Sequence, residues 1–261
     1  MNADQDSTDN SEKQETGNWG IPGLAFDFYF KNFTQLFMLL LQVFGLWYLA
    51  GYLAEAIFGG DLILRLIYGV LLVPLSIAVH RAIVLQEPLD ASQYLPSFRH
   101  GRVWKFFGYG VLFSLIAFLI FWAFALIAGT GLFAGALSMD RGGGVGVALV
   151  FGFAILLVSA IGFSLLLRFT FVWPAIATDQ FRSLGDCGRQ MRGIIWKVLG
   201  ALIVVGLPLI VLGVLAQVIN LQAPFSYMAS LASLVSYVAS MLWLPMGTAV
   251  LSFAYVSATD E

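Results

Sequence analysis

An all-α membrane fold of six transmembrane helices, with two amphipathic elements on the cytoplasmic face, is what this sequence predicts, and three observations carry the prediction. Of the 261 residues, 60% are hydrophobic and 11% charged, against roughly 25% charged in an ordinary soluble domain. Mean hydropathy is +0.88. Several apolar runs exceed the roughly 18–20 residues that carry a helix across a bilayer, and they are continuous rather than alternating, which excludes barrel strands. Finally, Lys and Arg fall on alternate loops, and their placement, not the net charge of -2, sets membrane topology.

The elements follow in order. Residues 1–18 hold Asp4, Asp6, Asp9, Glu12 and Glu15 against Lys13, among Ser, Thr, Asn and Gln, a composition that buries too little surface to offset ordering. A disordered acidic tail is expected there, and its charge and lack of a short apolar core differ from a secretory signal. Residues 19–32 mix Trp19, Phe26, Phe28, Tyr29 and Phe30 with Pro22, Asp27 and Lys31, an interfacial segment suited to the headgroup level. The transmembrane domain is expected over residues 33–256, and residues 257–261 form a polar end.

Spans are placed at about 33–58, 62–83, 104–128, 145–171, 196–219 and 226–255. Gly59-Gly60-Asp61 turns between the first two without a basic residue. A charged loop with Glu87, Asp90, Arg99, His100 and Arg102 precedes the third span. A Gly-rich connection containing Gly142-Gly143-Gly144 follows it. With both termini in the cytoplasm, Lys13, Lys31, Arg81, Arg99, Arg102, Lys105, Arg168, Arg182, Arg189, Arg192 and Lys197 face inside, and only Arg65 and Arg141 face outside. The expected location is the inner (plasma) membrane.

Two cytoplasmic stretches echo each other. Arg99-x-x-Arg102 leads to Trp104-Lys105-x-x-Gly108, and Arg189-x-x-Arg192 leads to Trp196-Lys197-x-x-Gly200. Two readings stand: a duplicated helix–loop–helix unit, or the general chemistry of a helix start at the headgroups, where Arg, Lys and Trp anchor and Gly allows close packing. Between 177 and 195, helical spacing gathers Ala177, Phe181, Leu184, Cys187, Met191, Ile194 and Ile195 on one side. Asp179, Arg182, Asp186 and Arg189 gather on the other, as in a helix lying in the membrane plane. Gly185 and Gly188 weaken such a helix and allow two shorter pieces.

Ionisable groups inside a bilayer are functional candidates by default. Glu55, Arg65, His80, Arg81 and Arg168 qualify, although most lie near span ends where long side chains snorkel. Glu55 and Arg65 share the outer side and form a candidate intramembrane pair. Arg168 has Asp179 or span-end carbonyls as candidate partners. Pro74, Pro208 and Pro245 fall inside spans and predict kinks, and no polar cluster is evident beside them. Ala229, Ser233, Ser236, Ser240 and Gly247 form a small-residue seam for close packing.

Motifs for reaction chemistry are missing. Cys187 is single and His80 and His100 are the two histidines, too few for a His/Cys metal centre. No phosphate loop, H-E-x-x-H or G-x-S-x-G motif occurs, and the loops are too small for a nucleic-acid module. No cofactor, no metal and no catalysis are therefore expected.

The run R-F-T-F-V-W-P-A-I-A-T-D-Q at 168–180, S-L-G-D-C at 183–187, R-G-I-I-W-K at 192–197 and L-P-M-G-T-A-V-L-S-F-A-Y at 244–255 resembles a loose family of bacterial six-helix membrane proteins. That family is similar to the membrane domain attached to some glycerophosphodiester phosphodiesterases. The resemblance implies a bacterial membrane component. Its catalytic barrel has no room in this sequence, so phosphodiesterase activity and site residues are not carried over.

The expected function is non-enzymatic contact with anionic lipid headgroups, or with a protein partner, through Arg99, Arg102, Lys105, Arg182, Arg189, Arg192 and Lys197. The bland counterpart is that these cations only enforce topology. The alternative function is a small-solute transporter or channel with a polar path near Glu55 and Arg65.

Overall fold

The structure is a computed structural model that describes residues 20–58, 61–139, 150, 153, 162, 166–222 and 227–259. The acidic tail, most of the fourth expected span and the Gly142–Gly144 turn lie outside the described residues. Among those described, the fold is helical without a strand, and five helices are long and apolar enough to cross a membrane.

Helix α1 (Gly20–Lys31) occupies the segment expected to be interfacial and continues through Asn32 into α2 (Phe33–Phe58). The Asn32 side chain donates to the Phe28 carbonyl at 2.9 Å, while its backbone carbonyl accepts from Leu36 N–H at 3.0 Å, so the junction stays satisfied. α1 buries Ala25 and Tyr29, and Phe28 meets Phe253 edge-on at 6.3 Å. α3 (Asp61–Val84) follows, with Pro74 inside it. Gln86, at φ 56°, turns the chain beyond α3, and its side-chain amide donates to the Ile83 carbonyl at 2.8 Å. Asp90 then caps a short 3-10 turn, accepting from Ser92 N–H and Oγ at 2.8 Å each. α4 (Tyr94–Ser97) leads into α5.

α5 (Gly101–Met139) has 39 residues, about 58 Å at roughly 1.5 Å per residue. It runs past the expected end of the third span and through glycines read as a connection. In an apolar medium every backbone N–H must bond within the helix, and that requirement outweighs the roughly 1 kcal/mol helix penalty of each Gly. Two contacts place the returning chain against it. Phe113 stacks on Phe169 at 6.2 Å, and a β-carbon on Gly162 would sit 2.8 Å from Ile120. Seven residues forward on one strand of the pair match seven residues back on the other, the register of an antiparallel approach made close by Gly162.

α6 (Val172–Ala177) ends in a left-handed turn: Gln180 N–H donates to the Ala175 carbonyl at 2.8 Å and Asp179 N–H to Ile176 at 3.2 Å, with Asp179 at φ 60°. This double bond pattern is the Schellman helix stop, here with Asp where Gly is commonest. α7 (Leu184–Arg192) starts at Ser183, whose Oγ accepts from Asp186 N–H at 3.2 Å and donates to the Asp186 carboxylate at 2.7 Å. The stretch from 177 to 195 is therefore not one helix. It breaks at 178–183 and at Gly193, and Gly185 and Gly188 stay inside α7. α8 (Ile195–Gln222) and α9 (Tyr227–Thr259) complete the chain, carrying Pro208 and Pro245.

Two apolar clusters share α3. One joins Leu75 and Val79 to Tyr29, Leu36, Val205 and Val250; the other joins Val73 and Ile77 to Phe106, Phe171, Met191 and Val198. Elsewhere α5 and α8 expose large apolar side chains, including Leu115, Leu119, Leu207 and Ile210. In water such a surface would aggregate; against lipid tails it is solvated. The bundle gathers α1, the end of α3, the 85–100 loop, the start of α5, α6, α7, the start of α8 and the end of α9 at one end.

Candidate functional site

That end carries nearly all the described cations, and the fold sorts them into two groups. The first is internal. Arg81 directs Nε to Glu87 at 2.7 Å and pairs Nη2 with the same carboxylate; its Nη1 donates to the Ala177 carbonyl at 3.1 Å and stands 3.5 Å from Asp179. Arg102 Nη1 lies 3.1 Å from the same Asp179 oxygen. Its N–H is not aimed at that oxygen, so this buried nitrogen makes a charge contact without a hydrogen bond. One carboxylate thus ties the end of α3, the start of α5 and the end of α6 together. The arginine bonds hold the Glu87 carboxyl below its ordinary range, the hydrogen bond from Arg81 contributing most.

Next to this hub is a cavity of about 270 Å³ lined by Arg81, Glu87, Asp90, Tyr94, His100 and Arg102, among others. Tyr94 is buried and donates to the Leu71 carbonyl of α3 at 2.6 Å. Burial raises the Tyr94 phenol above its ordinary range.

The second group faces outward. Arg99, Lys105, Arg182, Arg192 and Lys197 are exposed and form no ion pair within 4.0 Å among the described residues, and Arg189 pairs with Asp186 in the same helix. Ser183, then Arg189, hold the Asp186 carboxyl below its usual range. Trp104 and Trp196 stand beside these cations, exposed by 55% and 80%. α7 buries Cys187 and Met191 beneath them, and burial pushes the Cys187 thiol up to about 11, which leaves it unreactive near neutral pH. Among the described residues, no three His, Cys, Asp or Glu side chains converge as a metal site would require.

The seven predicted site residues are therefore on one end, but not in one role. Arg102 is drawn into the hub, and the other six remain at the surface. Asp179, a candidate partner of Arg168, is engaged instead by Arg81 and Arg102, because the left-handed turn aims its carboxylate at α3 and α5. Glu55 and Arg65 lie on α2 and α3, with side chains outside the described residues. No polar cluster is expected at midplane beside the span prolines, and the buried polar residues lie instead toward the cation-bearing end of the spans. Ser76, His80, Thr248 and Ser252 are buried together, within two turns of Pro74 and Pro245. Sequence could show the Thr248/Ser252 spacing of one helical turn, but not that His80 meets Ser252 across 172 positions.

These features define a multi-pass helical membrane protein with a charge-sorted end. Compared with family models, curated proteins and solved structures, the chain finds no match.

Proposed function

We propose that the protein is a non-enzymatic inner-membrane component of six spans, with both termini cytoplasmic, that engages anionic headgroups through the outward-facing cations. The observation that carries this reading is the sorting itself. Arg81 and Arg102 are consumed by Glu87 and Asp179, whereas Arg99, Lys105, Arg182, Arg192 and Lys197 stay exposed beside Trp104 and Trp196. Cations at this level attract anionic lipid by about 1 kcal/mol each. Support for an even number of spans comes from Lys31, Arg81, Val172 and Tyr255 belonging to elements gathered at one end. Kinship with the six-helix family above is part of the proposal, and two of the four stretches that suggest it meet: Phe171 packs edge-on to Tyr255 at 5.4 Å, and the Tyr255 hydroxyl donates to Gln180 at 3.0 Å.

The test is co-purified and exchangeable lipid. The full chain in nanodiscs mixing phosphatidylglycerol and phosphatidylcholine is expected to enrich phosphatidylglycerol in its annulus. Arg182→Gln, Arg192→Gln and Lys197→Gln together should abolish most of that enrichment. Equal lipid composition around the parent and the triple variant refutes the reading.

A further inference from the structure

A cavity of about 310 Å³ lies where α3, α5, α6, α8 and α9 converge, lined by Ser76, His80, Phe106, Trp173, Trp243 and Thr248 among others. Its polar chemistry follows from counting protons. Ser252 Oγ lies 2.8 Å from the Thr248 carbonyl and 2.7 Å from His80 Nδ1; with its hydrogen on the carbonyl it accepts from Nδ1–H, the tautomer that leaves the Nε2 lone pair open. Thr248 Oγ1 donates to the Leu244 carbonyl at 2.7 Å, and Ser76 Oγ to the Leu72 carbonyl at 3.3 Å. Every polar hydrogen of this group is spent within the bundle. Ser252 does not line the cavity, so the Nε2 side of His80 is the part that reaches it. His80 is 1% exposed, and its Nε2 makes no hydrogen bond among the described residues.

The cavity therefore offers acceptors: the Nε2 lone pair and the free lone pairs of two hydroxyls. The indole N–H groups of Trp173 and Trp243 are the donors left among the lining residues, and with no Lys or Arg there an anion would be buried without a counter-charge. A cation finds no carboxylate among the lining residues, and burying it unpaired is costly. Phe106 and Trp173, with ring centroids 4.7 Å apart, and Trp243 supply flat apolar walls suited to a ring. We infer that this cavity is a binding site for a neutral, membrane-soluble ring molecule that donates an O–H to His80, such as a phenol or hydroquinone head. An unused buried imidazole then has its missing partner, as buried polar groups generally do.

The probes are 4-octylphenol and 4-octylanisole, which differ by the donated hydrogen and one methyl group. Saturable uptake is measured on nanodiscs carrying the full chain, with empty nanodiscs as background. The phenol should saturate and bind about tenfold tighter than the ether, the ratio one good hydrogen bond gives. His80→Phe keeps a ring but removes the acceptor, and should bring the two affinities together. Should that variant fold poorly, His80→Leu with Ser252→Ala, which also removes the hydroxyl left without its partner, should likewise bring the two affinities together. Uptake no greater than that of empty nanodiscs, equal affinity for both probes, or discrimination that survives His80→Phe each overturns the inference.

Discussion

Replacing Asp179 separates two physical demands that meet in one residue. Its backbone holds φ at 60° to stop α6, and its carboxylate, 64% exposed, pairs with Arg81 and Arg102, whose side chains are 22% and 24% exposed. Pairs open to water on one side contribute about 0.2–1 kcal/mol each, so losing both costs about 1 kcal/mol. Asp179→Asn removes the charge but tolerates the left-handed turn, so about 1 kcal/mol is the whole expected cost. Asp179→Gly loses the same pairs and relieves the turn, and should fall close to the Asn variant. Asp179→Ala loses the pairs and adds about 1–2 kcal/mol of left-handed backbone cost. Thermal unfolding in one detergent should rank parent, then Asn and Gly, then Ala. At roughly 2–4 °C per kcal/mol, the Asn deficit is about 2–4 °C and the Ala deficit about two to three times that. High salt should narrow the Asn deficit, because the carboxylate is mostly in solvent. An Ala variant as stable as Asn would refute the turn argument, and an unchanged Asn variant would refute the charge argument.

Two other outcomes follow from the same end of the bundle. Tyr94→Phe removes the 2.6 Å hydrogen bond to the Leu71 carbonyl, at an expected cost of about 0.5–1.5 kcal/mol; thermal unfolding no different from the parent would refute a stabilising role for that bond. Glu87 titrates below its ordinary range, so its contribution is complete above its unfolded pKa of about 4.3 and is lost as pH falls through the lower folded value. Hydrogen exchange of residues 85–90, corrected for intrinsic rates, should therefore rise on acidification below about pH 4. Glu87→Gln should show the faster exchange already at neutral pH and lose the acid step.

Much of the architecture was legible before any coordinate. The first, second, fifth and sixth expected spans agree with Phe33–Phe58, Asp61–Val84, Ile195–Gln222 and Tyr227–Thr259 to within four residues, because continuous hydrophobicity is the signal for a spanning helix. The third, expected at 104–128, lies within a longer helix that runs from Gly101 to Met139. Gly129 and Gly131 look like punctuation by solution propensity, yet they continue α5. Around 177–195 the side-chain periodicity anticipated which residues bury, Cys187, Met191 and Ile194 among them, but not where the helix stops. The stop rests on Asp179 adopting a left-handed conformation, which local sequence does not announce when the residue is not Gly.

For the site, the sequence alone settles which residues carry charge and that they alternate along the chain, since charge and hydrophobicity belong to each residue whatever its neighbours. It cannot say that Arg102 is spent on Asp179 while Lys105, three positions on, stays free, or that His80 finds Ser252. Those outcomes depend on which helix faces meet, and pairing between positions far apart in the chain is decided only when packing brings α3 against α5, α6 and α9.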